Sequence, residues 1–313
     1  MKRVSVLMPM RDAQRYVRAA LASVLSQKNV DLEVVVIDDG STDGSADIVR
    51  QLGDPRVRMI AGPCGGVSVA LNRGLEIATG EFIARCDADD LYTDDRLSWQ
   101  STFLSDHPEY AAICGCYSTI TGKGQRVVDL ECGGAAEEIT GELRAGRNRT
   151  HLGTYLVRAS IYREIGGFRP YFVTAEDIDL QLRLGEHARV WYDPRQCYVY
   201  RLHSASITSQ QSDAARVFYE RTARHFQQQR LAGGDDVQRN CPPLPPEDLV
   251  SPPSKAASEI QRMLIAASWR EHRAGEKSRS ISTGVRAVRA RLVNLGAWRS
   301  LAALVLRRPS DEW

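Results

Sequence analysis

The chain has 313 residues, 43% of them hydrophobic, with a formal net charge of +2 and seven cysteines. That is enough apolar material for one large domain or two modest ones, and the near-neutral balance excludes a protein built throughout as a polyanion binder. The odd cysteine count, without a CxxC pair, argues for buried thiols in a reducing compartment over a disulfide framework or a redox site.

Lys2-Arg3 opens like a secretory leader, but the apolar run Val4 to Met10 is short and Arg11-Asp12 closes it. No segment approaches the roughly 20 apolar residues of a membrane span. A cytoplasmic location is therefore expected. "VSVLMPM" then reads as a strand buried on both faces. "AQRYVRAALASVLSQ" follows at helical spacing, "LEVVVIDDGSTDGS" is a strand ending in a polar turn, and Ala46 to Leu52 is a short helix. "VRMIAG" is a third strand, "GGVSVALNRGLEIAT" a third helix and "EFIARCDADD" a fourth strand. Such alternation predicts an α/β fold with a mostly parallel central sheet and right-handed crossovers.

The next hundred residues change character. "AAICGCYSTI" and "QRVVDLE" read as strands joined by a turn over 121–124, with Cys114 and Cys116 on one face. "TYLVRASIYREIGGF" is a strand entering a helix, "AEDIDLQLRLGE" a short helix, and "RVWYDP" and "CYVYRLH" two further strands. Asp213 to Leu231 is a polar helix, Cys241 to Ser254 a Pro-rich extended linker, and Ala256 to Leu306 a basic helical segment. The expected domains are a large unit over 1–230, with halves over 1–105 and 106–210, a linker over 231–255 and a helical extension over 256–313.

Three acidic constellations carry chemistry. Asp87-Ala88-Asp89 follows the fourth strand; two carboxylates on one side of an extended segment can share a divalent ion with a phosphate. The plainer reading is a helix cap by Asp90 or Thr93. Asp38-Asp39 ends the second strand, suited to a nucleobase N–H or a ribose hydroxyl, or to a polar turn capped by Ser41, Thr42 or Asp43. Glu176, Asp177 and Asp179 open a helix, where they complement its dipole; the same dipole is expected to lower the Asp177 pKa. Neither a G-x-G-x-x-G turn after the first strand nor a Walker A sequence is present.

Together, "VSVLMPMRDAQRYVRAALASVLSQ", "VVVIDDGSTDGS", "ALNRGLEIATGEFIARCDADD", "VRASIYREIGGFRP", "AEDIDLQLRL" and "YRLHSASIT" resemble the family 2 (GT2) inverting glycosyltransferases of GT-A fold, from Val4 to about Ser209. The resemblance implies a nucleotide-sugar donor, a UDP-sugar, with Pro9, Asp38 and Asp39 near the nucleoside and Asp87 near the ribose. Asp89, with Asp87, would hold Mn2+ or Mg2+, and His203 corresponds to a histidine that approaches the metal or diphosphate, or else caps the sheet edge. Asp177 matches the base, with Glu176 beside it. Gly65-Gly66 stands where some relatives carry a basic diphosphate contact; Arg73 either substitutes or lies on a solvated helix face. The acceptor would be a glycan or lipid-linked glycan in bacterial polysaccharide or glycoconjugate synthesis. A non-catalytic sugar-nucleotide binding module and a two-carboxylate hydrolase are the competing classes; an intact base opposes the first, the strand-end D-x-D the second.

The last segment combines Arg270, Arg273, Arg286, Arg289, Arg291 and Arg299 with Trp269, Trp298 and interleaved leucines and valines. Peripheral contact with an anionic membrane surface, self-association, or a packed helical hairpin would each use this pattern. Val285, Val288, Leu292 and Leu295 form a stripe expected to face a core.

Overall fold

The computed structural model describes residues 2–130, 134–234 and 256–307; the Pro-rich run at 241–254 lies outside them. The first part alternates β1 (Arg3–Met10), α1 (Val17–Leu25), β2 (Asp31–Asp38), α2 (Ser45–Leu52), β3 (Val57–Ala61), α3 (Val67–Ile77) and β4 (Phe82–Arg85). Strands β1, β2, β3 and β4 pair in parallel, in the order β3-β2-β1-β4. Both faces are buried, as a run of apolar residues without alternation requires. Val4, Val6 and Met8 of β1 and Val34 and Val36 of β2 join one core, whereas Leu7, Val35 and Ile37 join the other.

The chain continues through β5 (Leu91–Tyr92), α4 (Arg96–Asp106), β6 (Ala112–Thr121), β7 (Arg126–Leu130), β8 (Glu137–Glu138) and α5 (Thr140–Arg144). A 3-10 turn at Leu152–Thr154 precedes β9 (Leu156–Arg158), α6 (Ala159–Ile165), α7 (Glu176–His187) and β10 (Val190–Leu202). Here the sheet turns antiparallel: β9 lies between β4 and β6 and opposes both, and β10 opposes β5. The two strands expected over "RVWYDP" and "CYVYRLH" are one. Pro194 interrupts neither end of β10 because it and Arg195 are exposed, and the Arg195 N–H turns to Asp193 Oδ1 at 2.9 Å instead of a strand partner. Close packing is enforced at Gly115 of β6, where a Cβ would sit 2.7 Å from the Arg195 carbonyl oxygen.

The remaining helices are α8 (Ile207–Gln210), α9 (Asp213–Leu231), α10 (Ala256–Arg273), α11 (Lys277–Ala290) and α12 (Leu295–Leu306). The chain divides into two units. The first holds the strand ends that matter below, and it takes in most of α9, whose Tyr219, Ala223 and Phe226 pack with Phe172, Ala175 and Leu182 around α7. The second joins 118–129 and 201–215 to the C-terminal helices. Within it, the Arg286 guanidinium donates to the Arg126 and Val127 carbonyls at 2.8 and 2.6 Å. The expected Val285 stripe is only half realised: Val288 is buried, but Leu292 and Leu295 are exposed. Helix α11 stops at Ala290, so the periodicity carries past its end into a turn and α12.

Two capping expectations are also corrected. α2 starts from Gly44 and α4 from Asp95, neither with a side-chain cap. Asp43 does accept the Ser45 N–H at 2.9 Å, but Asp90 is withdrawn into the interior.

Candidate active site

Parallel register brings the first pair of carboxylates to a common rim. Pro9 stands opposite Ile37 and Met10 opposite Asp38, and the Asp39 N–H donates to the Met10 carbonyl at 2.8 Å. In open α/β sheets ligands bind beyond carboxyl ends of this kind, where the strand order reverses. Asp38, half-buried, accepts the Ser41 N–H at 2.9 Å on Oδ1. Asp39 is buried and does different work: its carboxylate accepts the N–H groups of Gly65 and Gly66 at 3.2 and 2.9 Å. Gly66 has φ +86°, a conformation that favours glycine. The Gly65-Gly66 turn is therefore tied down by an anion at the start of α3.

β4 adds the second pair. Arg85 lies opposite Leu7, and the Cys86 N–H continues to the Leu7 carbonyl at 3.0 Å. Asp87 thus leaves the sheet next to β1, two strands or about 10 Å from the end of β2. The cation among the carboxylates is Arg85 itself. It is buried, and its Nε and Nη2 donate to the two oxygens of Asp87 at 2.6 and 3.0 Å while Nη1 donates to Glu176 Oε1 at 3.0 Å. Tyr92 Oη holds the Arg85 carbonyl at 2.8 Å. Tyr198 Oη accepts the Asp87 N–H at 3.3 Å and donates to the fully buried Asp90 at 2.7 Å. Asp90 thus fixes the loop, leaving Asp87 and Asp89 as its half-buried carboxylates.

Helix α7 delivers the third constellation. Ala175, with φ +61°, turns the chain into it, a left-handed conformation costing a residue with a Cβ roughly 1–2 kcal/mol. Burial raises the Asp177 pKa, and the charge of Asp87 adds to the rise; Arg85 and the Ile178 N–H oppose it. The expected lowering by the helix dipole is therefore overturned, because removal from water outweighs the first-turn N–H groups. Glu176 is raised too, by burial against the pull of Arg85. Asp179 belongs to the framework: fully buried, it accepts from Arg183 Nε at 2.8 Å and faces Arg169 at 3.4 Å.

Other candidates sit differently. Arg73 is exposed and donates to Glu76 on its own helix at 2.5 Å. His203 lies just after β10 in the second unit, its carbonyl accepting the Ser206 hydroxyl at 3.0 Å. Among the described residues no three His, Cys, Asp or Glu side chains cluster as a metal cage. Cys86, Cys114, Cys116 and Cys197 are buried, whereas Cys64 is exposed.

Sequence reasoning overlooked His151. Its ring stacks on Tyr198 with centroids 5.6 Å apart and lies beside Tyr117 and Tyr200. Nδ1 accepts the Gly153 N–H at 3.0 Å, so the neutral ring carries its proton on Nε2. Burial, then the Arg85 charge, push its pKa down to about 4. The loop is held by fully buried Arg96, which donates to the Gly153 and Tyr155 carbonyls at 2.6 and 3.2 Å, and by Gln100 on Thr154. No spacing rule marks such a residue; the only cue was an isolated histidine before a Gly-containing turn.

A parallel sheet whose strand-end crevice gathers carboxylates, joined to an antiparallel half, is the GT-A arrangement. The family model of "Glycosyl transferase family 2" matches residues 5–175, and the chain belongs to that family of enzymes. It is 33% identical to the Bacillus subtilis protein named "Putative glycosyltransferase EpsE" over 216 residues, 65% of this chain and 74% of that one. It is 27% identical to chondroitin synthase of Pasteurella multocida, over 68% of this chain but only 22% of the synthase. S. aureus TarS 1-349, solved in complex with UDP-GlcNAc, has a similar fold: the TM-score is 0.57 at 18% identity, covering 98% of this chain and 93% of that one.

Proposed function

We propose that this glycosyltransferase moves a sugar from a UDP-sugar to a hydroxyl of a glycan or lipid-linked glycan, with inversion at the anomeric carbon, in polysaccharide or glycoconjugate synthesis. The observation that supports it most is the Arg85 fork. It links Asp87, beside the donor crevice, to Glu176 at the start of α7, so that Asp177 shares an electrostatic environment with the D-x-D pair. The UDP-GlcNAc complex of TarS and the polymer named for the Pasteurella synthase agree with this donor and product class.

Asp38 would accept the imide N–H of the base beside Pro9, and Asp87 would meet the ribose. Asp89, with Asp87 beside it, offers hard oxygen ligands suited to Mn2+ or Mg2+, ions held by one or two carboxylates together with substrate phosphates rather than by an all-protein cage. Such an ion, when bound, supplies Lewis-acid stabilisation to the departing diphosphate. Asp177 takes the acceptor's hydroxyl proton as its oxygen bonds to the anomeric carbon; the bond to the diphosphate breaks and its electron pair leaves with UDP. A carboxylate whose pKa is raised by burial is a better base than one in water.

Thermal unfolding with UDP, with and without Mn2+, tests the donor assignment. Ligand at a hundredfold over its dissociation constant stabilises by about 2.7 kcal/mol. The expected result is a metal-dependent upward shift that Asp89→Ala loses. A shift with GDP or dTDP but not UDP would change the donor. No shift with any nucleotide would sink the reading.

A further inference from the structure

Helix α12 is apolar on its outward face as well as its inward one. Its inward positions are Ala297 and Leu304, both buried, while its outward face carries Leu295, Trp298, Val305 and Leu306 at 71, 47, 48 and 82% exposure. Leu292 and Val293, in the turn from α11, are 63 and 84% exposed. These side chains are not on a loose end. Buried Gln261 of α10 donates to the Ala287 and Arg291 carbonyls at 2.8 and 3.0 Å and accepts from Asn294 Nδ2 at 2.6 Å. Trp298 Nε1 closes the turn on the Leu292 carbonyl at 2.8 Å. The chain holds its apolar tip open at the cost of solvating it, which marks a contact surface.

The charge around the tip selects the partner. From Lys277 to Arg307 the sequence contains seven cations and no carboxylate. Exposed Arg289 lies one turn before Leu292, and exposed Arg299 adjoins Trp298 and lies one turn from Leu295. We propose that the α11–α12 tip and the outer face of α12 dock in the plane of an anionic lipid bilayer, Trp298 and the aliphatic side chains entering the headgroup region between arginines that meet lipid phosphates. A two-fold contact with a second copy would press like-charged surfaces together. Nucleic acid would bring phosphates against six exposed apolar side chains. At twelve residues α12 is about 18 Å long, too short to cross a ~30 Å hydrocarbon layer, so it lies on the surface.

Vesicle co-sedimentation of the whole chain tests this, comparing phosphatidylcholine alone with a 3:1 mixture, by order of magnitude about one-quarter phosphatidylglycerol. At ~0.1 M salt, where exposed charges still act over about 10 Å, the protein should partition onto the anionic vesicles at least tenfold more strongly than onto the neutral ones. Leu292→Ser/Val293→Ser/Trp298→Ser should lower that partitioning at least tenfold, and Arg289→Gln/Arg299→Gln roughly fivefold per cation, each with an unchanged circular dichroism spectrum. No preference for the anionic vesicles, or undiminished binding by the serine variant, would overturn the proposal. So would sedimentation of wild type as a dimer that the serine variant abolishes, because the face would then bind a second copy.

Discussion

Arg85 decides how three acidic residues tolerate one another. It is a cation in an otherwise apolar strand, and a strand reading treats it as an interruption; only the fold reveals that it reaches both Asp87 and Glu176. Arg85→Met should leave two carboxylates without their cation in a buried setting and cost about 3–5 kcal/mol, read as a lower urea midpoint at pH 7. Asp177 supplies a second test. Its folded pKa is raised, so its charged form opposes folding above that pKa, while transfer requires that form. Asp177→Asn should therefore abolish transfer, keep nucleotide binding and raise stability at pH 7, read as a higher urea midpoint. In wild type the rate should fall with acid from above the ordinary carboxylate range. Arg85→Met, lacking the charge that lowers Asp177, should move that fall to higher pH. A rate that stays level as the pH falls into and below the ordinary carboxylate range would remove Asp177 as the base.

At the level of elements, α7 separates the acidic residues of one motif by what each of them touches. The sequence offered Glu176, Asp177 and Asp179 as one acidic helix start, the resemblance pointing to Asp177 as the base; the partners of the other two were illegible because all three satisfy the same dipole. Packing divides them: Glu176 turns to Arg85, Asp177 stays half-buried, and Asp179 goes fully inside to meet Arg183. Arg183 in turn donates to the Ile165 carbonyl at 2.8 Å, clamping the end of α6. Asp179→Ala should therefore cost about 3–5 kcal/mol by stranding Arg183 in the interior. Asp179→Leu/Arg183→Met should recover part of it, since Arg183 is no longer stranded and only half-buried Arg169 then loses the Asp179 carboxylate. Equal urea midpoints for wild type and Asp179→Ala would contradict this role. The His151 loop was illegible for a similar reason: its anchors Arg96 and Gln100 lie on α4, more than fifty residues earlier, where local spacing carries no information.

For the whole molecule, the βα alternation made the parallel half of the sheet readable, since consecutive apolar runs and polar turns need no long-range knowledge. The antiparallel half was less so, because β9 enters between β4 and β6 through pairings that no period encodes. The C-terminal segment was legible as helical and basic, but where its apolar residues point depended on α11 ending at Ala290. This division governs the last prediction. Helix α9 must stay with the first unit, because Tyr219, Ala223 and Phe226 complete the core with Phe172, Ala175 and Leu182 at and before α7. A chain ending after Gly234 retains all of it, whereas one ending before α9 uncovers Phe172, Ala175 and Leu182. The longer truncation should keep a cooperative thermal transition and UDP binding within about threefold of the full chain, a difference of under 1 kcal/mol, and should lose its attachment to anionic vesicles. Its cost should fall on the 118–129 hairpin, where Arg126 and Val127 would lose the Arg286 guanidinium from their carbonyls. Hydrogen exchange should accordingly quicken there and remain slow in β1, β2 and β4. Loss of UDP binding on truncation after Gly234, with the melt intact, would instead make the C-terminal unit part of the donor site.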